Sequence, residues 1–137
     1  MKNTVVLITL LAAAQFVGRD DVAAEGALVI ARDWGSTAWA FGMSVKSTPE
    51  QAEAEAWEDC QKTVRRGRLN GVCELKLRFK NECAAVAYGE DDEERRYKFG
   101  WSSGRDEEEA TRWALSACST DGRVSVPCKI EAIACDK

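Results

Sequence analysis

The segment Trp39-Ala40-Phe41-Gly42-Met43-Ser44 decides the fold, because it occurs a second time as Tyr97-Lys98-Phe99-Gly100-Trp101-Ser102. Both copies alternate large apolar residues with small or polar ones, which is typical of a β-strand. A helical run follows each copy and ends near a cysteine, Cys60 in the first and Cys118 in the second. One ungapped offset of 58 positions relates the two stretches, and such self-similarity indicates an internal duplication.

The helix after each copy has a capping residue and a stripe of small residues. Thr48 followed by Pro49 predicts the start of the first helix, and Asp106 takes the corresponding place before the second. Small residues spaced by four predict a buried stripe that lets the helix lie close to a sheet. The stripe residues are Ala52, Ala56, Cys60 and Val64 in the first helix, and Ala110, Trp113, Ala114, Ala117 and Cys118 in the second.

A third strand is predicted after each helix. Its residues alternate, so that one face is buried. The residues assigned to the buried face are Leu75, Leu77 and Phe79 in the first repeat, and Ile130, Ala132 and Ala134 in the second. The repeats, 26–82 and 83–137, therefore each contain a ββαβ unit. We predict a disulfide-stapled α+β fold in which a largely antiparallel sheet of about six strands carries two helices on one face.

Composition limits the classes of function. The chain has 137 residues, of which 45% are apolar and 31% charged, as in a globular domain. Its 19 basic and 23 acidic residues give a net charge of −4, which argues against a nucleic-acid partner, because that needs a concentrated basic face. Histidine is absent from the sequence. The commonest general base and metal ligand are therefore missing, and we expect neither a cofactor nor a metal.

The N-terminus has the features of a secretory signal peptide. A lysine at the second position is followed by the apolar run 5–14, which is too short to span a bilayer as a helix. Small residues allow cleavage after Ala14 or Ala24, and we prefer Ala24 because strand-like sequence follows it. We expect a signal peptide at 1–24 and a single domain at 25–137 in a periplasmic or secreted protein without stable membrane insertion. A retained apolar anchor is the alternative.

All six cysteines lie in the predicted mature part, and an even number after an export signal indicates disulfides in an oxidising compartment. The duplication favours one pairing, because equivalent cysteines should pair in equivalent ways. The favoured pairs are Cys60 with Cys73, Cys118 with Cys128, and Cys83 with Cys135. The first two join a helix to a strand within a repeat, and the third is expected to tie the two repeats together. A zinc site is the competing interpretation, but no C-x-x-C pair supports it.

One stretch fits a catalytic pattern. Gly100-Trp101-Ser102-Ser103-Gly104 matches the G-x-S-x-G of a nucleophile elbow and lies between a predicted strand and a predicted helix. A serine hydrolase also needs a base, and the chain lacks histidine. We interpret the stretch as a tight strand-to-helix turn and assign no catalytic residue.

Two exposed loops are the candidate partner-binding surfaces. Trp34 lies in a predicted turn next to Asp33, where an aromatic side chain can anchor a partner. The alternative is a tryptophan folded back over the sheet edge. Asp91, Asp92 and Glu93 lie in the acidic hairpin loop of the second repeat. A solvated loop explains this charge better than a calcium site, because the spaced ligands and glycine of an EF-hand are missing.

The repeated pattern consists of an aromatic–Phe–Gly–x–Ser segment, a helix rich in glutamate and alanine that ends in cysteine, and a strand led by cysteine. It resembles a family of small secreted bacterial domains of unknown function, found in proteobacteria and mycobacteria. The matching residues are Trp39 to Ser44, Ala52, Ala56, Cys60, Cys73, Cys83, Tyr97 to Ser102, Ala110, Ala114, Cys118, Cys128 and Cys135. The charged helices and the acidic loop depart from the family's usual glycine- and alanine-rich character. The resemblance implies no catalytic residues.

These observations together predict an exported, non-enzymatic module that binds a protein or an envelope polymer. An inhibitor or immunity-type protein that acts on a cell-envelope protein is one concrete form. One alternative is a small cell-wall hydrolase that works through carboxylates alone, which would need two acidic groups with separated pKa values in one cleft. The other is a structural or stress-related envelope protein without a specific ligand.

Overall fold

Two strands, a helix and a third strand follow one another in each half of the chain. The computed structural model describes residues 24–33, 38–91, 96–121 and 125–136. The first half contains β1 (Glu25–Arg32), β2 (Trp39–Lys46), α1 (Pro49–Gly67) and β3 (Glu74–Phe79). The second half contains β4 (Cys83–Asp91), β5 (Arg96–Gly104), α2 (Glu107–Thr120) and β6 (Lys129–Cys135).

Both helices begin at the capping residues that the sequence predicts. Thr48 Oγ1 accepts a hydrogen bond from the Gln51 N–H at 3.3 Å, and Asp106 Oδ1 accepts one from the Glu109 N–H at 2.8 Å. Each cap satisfies an N–H group that the first helical turn leaves without a partner. Local sequence therefore fixes where both helices start.

Within the described residues, six strands form two antiparallel sheets, with strand orders β2-β1-β3 and β5-β4-β6. The first strand of each half is thus the central strand of its own sheet. The predicted α+β class, the six antiparallel strands, the two helices and the disulfides are confirmed. The prediction of a single sheet with both helices on one face is wrong, because the strands divide equally between two sheets.

The two central strands are apolar on both faces, and this explains the two sheets. In β1, Val29 packs toward α1 and Leu28 toward the other sheet, and both are completely buried. In β4, Ala85 packs toward α2 and Val86 toward the first sheet. A strand that is apolar on both faces needs a covering layer on each side. One layer is the helix of its own half and the other is the opposite sheet, so the layers run α1, sheet, sheet, α2.

Glycines in the repeated segment let each helix lie close to its sheet. A side chain on Gly42 would overlap the Ala56 carbonyl oxygen, and one on Gly100 would overlap the backbone of Cys118. The repeated segment thus marks the places where helix and strand backbones touch. Trp113, which the sequence assigns to the buried stripe of α2, is 51% exposed. The stripe is narrower than predicted, and the residues that α2 buries are Ala110, Ala114 and Cys118.

A bulge divides the alternation that the sequence predicts for β3. Leu77 pairs with Leu28 and Leu75 pairs with Val29, so that Lys76 is an extra residue in the register. Leu75 therefore packs on the helix side and Leu77 between the sheets, although the sequence places both on one face.

The third strand of the second half, β6, has the same irregularity. Ala132 pairs with Val86 and Ile130 pairs with Ala87, which leaves Glu131 as the extra residue. Ile130 and Ala132 consequently face opposite ways, contrary to the prediction. A bulge re-aims the side chain of the extra residue, and Glu131 is turned toward a groove at the edge of the sandwich.

Three disulfides link Cys60 to Cys73, Cys118 to Cys128, and Cys83 to Cys135. These are the pairs that the duplication favours. The first two join a helix to the segment before the next strand: Cys60 lies inside α1, which continues to Gly67, and Cys118 lies in the last turn of α2. The third joins β4 to β6 inside one sheet, because Cys83 begins β4 and pairs in register with Cys135. The expectation that this bond ties the two repeats together is therefore wrong.

An ion pair occupies the corresponding place in the first sheet. Gly26 pairs with Phe79, so Glu25 and Lys80 are the next pair in that register. The Lys80 Nζ lies 2.9 Å from Glu25 Oε1. Glu25 precedes Cys83 by 58 positions, which is the offset that relates the two halves. Corresponding ends of the two sheets are thus joined by different chemistry.

We expect removal of the Cys83–Cys135 bond to destabilise the protein most. Its sequence separation is 52 residues, against 13 for Cys60–Cys73 and 10 for Cys118–Cys128. Loop entropy gives about 4 kcal/mol for the long loop and about 3 kcal/mol for each short one. Urea melts of the three paired Cys→Ala variants measure these losses. A Cys83/Cys135 variant that is no less stable than the other two would contradict the loop-entropy ranking.

We also expect the double substitution Glu25→Cys and Lys80→Cys to form a fourth disulfide. The new loop spans 80 − 25 = 55 positions, and loop entropy limits the gain in the free energy of unfolding to about 4 kcal/mol. Peptide mapping without reduction and a urea melt test the bond and its effect. The matched control replaces both residues by alanine and should lose less than about 1 kcal/mol, because an exposed ion pair contributes little. Free thiols in the double-cysteine variant would show that the two ends do not correspond.

Candidate binding site

The structure describes only the bases of the two loops that the sequence selects for partner binding. The selected residues that lie outside the described part are Trp34, Asp92 and Glu93. Asp33 follows β1 and Asp91 ends β4, and both are partly buried. The Asp33 N–H donates to the Ala38 carbonyl at 2.9 Å, which closes the base of the first loop. A binding role for these residues stays a prediction.

The serine motif lies inside a strand. Gly100 to Gly104 are the last residues of β5, so the predicted strand-to-helix turn at this place is wrong. Ser102 Oγ donates to the neighbouring Ser103 carbonyl at 3.1 Å. An extended strand lacks the sharp turn that a nucleophile elbow requires.

A groove of about 760 Å³ opens where the two halves of the chain meet. Its walls are the start of β2, the end of α1 and the edge of the second sheet. Among the residues that line it are Ala38 and the start of β2 (39–41), Arg66 of α1 and Leu69 just after it, and Tyr88, Tyr97 and Glu131 from the second half. No local sequence pattern indicates this groove, since its walls come from segments far apart in the chain.

The end of α1 forms one wall because this helix is the longer of the two, with 19 residues against 14 for α2. Arg66 lies on its last turn. Arg68 then adopts a left-handed conformation with φ of 51°, and the Leu69 N–H donates to the Val64 carbonyl at 3.1 Å. This C-terminal cap turns the chain so that Leu69 follows Arg66 along the wall.

Aromatic rings from both halves form the floor of the groove. Trp39 stacks on Phe99 of the second sheet, with ring centroids 4.6 Å apart, and on Phe41 of its own strand at 5.3 Å. The Tyr88 ring lies 6.3 Å from Trp39 in a tilted arrangement. Such stacked and tilted pairs hold one another in place. The floor is therefore a rigid surface that crosses the junction between the halves.

Two charged side chains, those of Arg66 and Glu131, lie on the walls of the groove. Neither Arg66 nor Glu131 takes part in any hydrogen bond or ion pair found among the described residues, and both are exposed. Lys129 lies two residues before Glu131 in β6, and its Nζ is 4.9 Å from the centre of the Tyr88 ring. Its interaction with Tyr88, followed by the nearby carboxylate of Glu131, raises the pKa of Lys129. The groove therefore combines aromatic surface with an unpaired guanidinium.

The corresponding surface of the other half is occupied by side chains of the protein itself. The guanidinium of Arg32 lies 4.6 Å from the centre of the Phe99 ring and 3.5 Å from Asp121 Oδ2. Two smaller hollows, of about 350 Å³ and 280 Å³, remain there. At an offset of 58 positions, Asp121 corresponds to Thr63 and Phe99 to Phe41. The first half therefore lacks the ion pair that fills this space in the second.

The described ranges contain no group of three or more side chains that could hold a metal ion. No helix in the same ranges is long and apolar enough to cross a lipid bilayer. The three disulfides indicate that the protein folds in an oxidising environment.

Comparison with curated proteins and with solved structures gives no match. One family model does match, over residues 26–135, and its description is "Domain of unknown function (DUF4189)". The matched range begins in β1 and ends with the last residue of β6, so it covers both sheets, both helices and all three disulfides. The resemblance to an uncharacterised domain family is thereby confirmed, and the chain belongs to the DUF4189 family.

Proposed function

We propose that this protein is an exported, non-enzymatic binding module of the cell envelope, which binds a protein partner through the aromatic groove. One observation carries the proposal. The groove brings together Trp39, Tyr88, Tyr97 and Arg66, and tryptophan, tyrosine and arginine are the residue types that dominate the binding energy of protein interfaces. Export is supported by the signal-like features of 1–24 and by the three disulfides.

The rigidity of the groove favours a binding role. Trp39 stacks on both Phe41 and Phe99, and the Cys60–Cys73 bond links α1 to the segment before β3. A surface that is already ordered loses little conformational entropy when a partner binds. An inhibitor or immunity-type protein that acts on an envelope protein would need such a preformed surface.

The charges in the groove fit binding better than hydrolysis. Hydrolysis of a glycan through carboxylates requires two of them on opposite sides of the bond that is cleaved. Among the described residues that line the groove, Glu131 is the one carboxylate. Arg66, in contrast, offers a planar set of donors that can bind a carboxylate of a partner in two places at once.

We expect Arg66→Glu to weaken partner capture about tenfold or more, because replacing an interface arginine commonly removes 2 kcal/mol or more of binding energy. The mature protein with its disulfides formed is immobilised and exposed to envelope extract. Captured proteins are identified by mass spectrometry, and their affinity is measured with purified material. The fold should tolerate the change, since Arg66 is exposed and unpaired.

The matched control is Arg65→Glu, which introduces the same charge one residue away. Arg65 is exposed, does not line the groove, and uses its Nε to donate to the Gln61 carbonyl. This variant should bind within about twofold of the wild type, as expected for a charge outside the buried centre of an interface. Equal loss in both variants would show that general charge, and not the groove, governs capture. Hydrolysis of cell-wall material without any captured protein would favour the carboxylate-hydrolase alternative.

A further inference from the structure

We infer that the free edge of β2 takes up an extended, acidic segment of the partner as an added antiparallel or parallel strand. This inference rests on the proposed function and names the kind of segment that enters the groove. Ala38 and the first three residues of β2, Trp39 to Phe41, are consecutive in the chain, and all four line the groove. Successive side chains of a strand point to opposite faces, so a surface that touches four in a row runs along the backbone edge.

The hydrogen-bond register shows which backbone groups point outward. The Asp33 N–H bonds to the Ala38 carbonyl at 2.9 Å, and the same register pairs Arg32 with Trp39. In an antiparallel ladder, bonded pairs alternate with non-bonded pairs. Ala38 therefore directs its backbone groups to β1, whereas Trp39 and Phe41 direct theirs to the free edge and into the groove.

The second sheet supplies an internal comparison. Phe99 holds the place in β5 that Phe41 holds in β2, and its N–H also points away from the sheet. Asp121 Oδ2 accepts this N–H at 3.4 Å. The residue that corresponds to Asp121 is Thr63, whose hydroxyl donates to the Asp59 carbonyl of its own helix at 3.1 Å. The second half thus covers its strand edge at this point, whereas no described side chain of the first half does so.

The other two edge strands are protected by charge and by bulges. The bulged strand β3 alternates charged residues along its length, and the bulged strand β6 carries Lys129 and Glu131. From Trp39 to Val45, β2 has no charged residue. Proteins normally guard free edges with charges or bulges. An uncharged open edge inside a groove fits recognition by strand addition.

The side chains around the edge determine the chemistry of the added segment. Arg66 stands unpaired beside the edge and would pair with an aspartate or glutamate of the segment. Leu69, Tyr88 and Tyr97 offer apolar surface to its neighbouring residues. A second copy of this chain does not fit, because its own β2 would bring no carboxylate to Arg66 between Trp39 and Val45.

Amide hydrogen exchange tests the open edge in the free protein. We expect the Trp39 and Phe41 amides to exchange at least about tenfold faster than that of Phe99, since exposed strand edges open more readily than bonded ones. Equal protection of Phe41 and Phe99 would overturn the inference before any ligand is added. A dimer in solution with slow exchange at Trp39 and Phe41 would assign the edge to a second copy instead.

A displayed library of random linear twelve-residue peptides then serves as the probe, panned against the mature protein. We expect the enriched peptides to contain an acidic residue within an apolar run. Their binding should slow exchange of the Trp39 and Phe41 amides about tenfold or more, because added strands protect the edge amides. Phe99 should not change. Failure to enrich any such peptide, or binding without protection of these amides, would overturn strand addition.

Thr63→Asp provides a variant that blocks the edge. It places a carboxylate where Asp121 covers the other sheet, and we expect it to lower peptide affinity about tenfold, as removal of an interface anchor does. Thr120→Asp is the matched control, because Thr120 is also an exposed helical threonine that donates to its own helix, at 3.0 Å from the Ala117 carbonyl. That variant should bind like the wild type, and equal effects of both would contradict the inference. A captured protein partner could depend on Arg66 and still leave the β2 amides unprotected. That result would reject strand addition, and the proposed function would stand.

Discussion

The burial of both faces of β1 and β4 is the constraint on which the rest of the structure depends. Leu28 and Val29 are neighbours in β1 that point in opposite directions, and both are completely buried. Each central strand therefore needs a helix on one side and a second sheet on the other. The helix can come close enough only where the strand beside it lacks a side chain, and Gly42 and Gly100 meet this condition. The sheets in turn must present apolar side chains to each other, and the aromatic residues next to those glycines do so. One repeated segment thus serves two interfaces, with its glycine toward the helix and its aromatic residues toward the opposite sheet.

The aromatic groove arises where the two halves differ. Both have the same strand order and the same register, and these features alone would give two similar clefts at opposite edges of the sandwich. In one cleft, Arg32 extends over Phe99 and pairs with Asp121. In the other cleft, α1 continues past Thr63, the residue that corresponds to Asp121. It brings Arg66 to the wall, where no described side chain pairs with it. The same fold therefore closes one edge by an internal ion pair and leaves a guanidinium available at the other.

Features set by a few neighbouring residues could be predicted from the sequence, and features set by packing could not. Thr48 and Asp106 cap helices through groups three positions away, and the alternation around Phe41 needs only the period of a strand. The cysteine pairs followed from the repeat. The second sheet could not be predicted from β3, because alternating charged residues are typical of a water-covered face, whereas here they lie on an edge strand and one of them, Lys76, is the extra residue of a bulge. No local pattern indicates that Trp39 and Glu131 line one groove. The Asp136 carboxylate accepts the N–H groups of Asn81 and Glu82, at 2.6 and 2.7 Å. It thereby ties the residue after β6 to the junction of the halves, and no local pattern indicates this contact either.

The two sheets also differ in their cross-links. The second sheet holds the Cys83–Cys135 bond, and its strand edge is covered by Asp121. The first sheet has the Glu25–Lys80 ion pair at the corresponding place, and its β2 edge is open. An open edge is useful for recognition only if the strand itself is held still, because ordering a mobile strand would consume binding energy. The strand β2 is held still through its two faces, which an added strand would leave uncovered. Gly42 lies against the backbone of α1, and Trp39 is stacked on the second sheet. Both faces of β2 and the edge that pairs with β1 are therefore fixed. Only the opposite edge remains for strand addition among the residues that the structure describes.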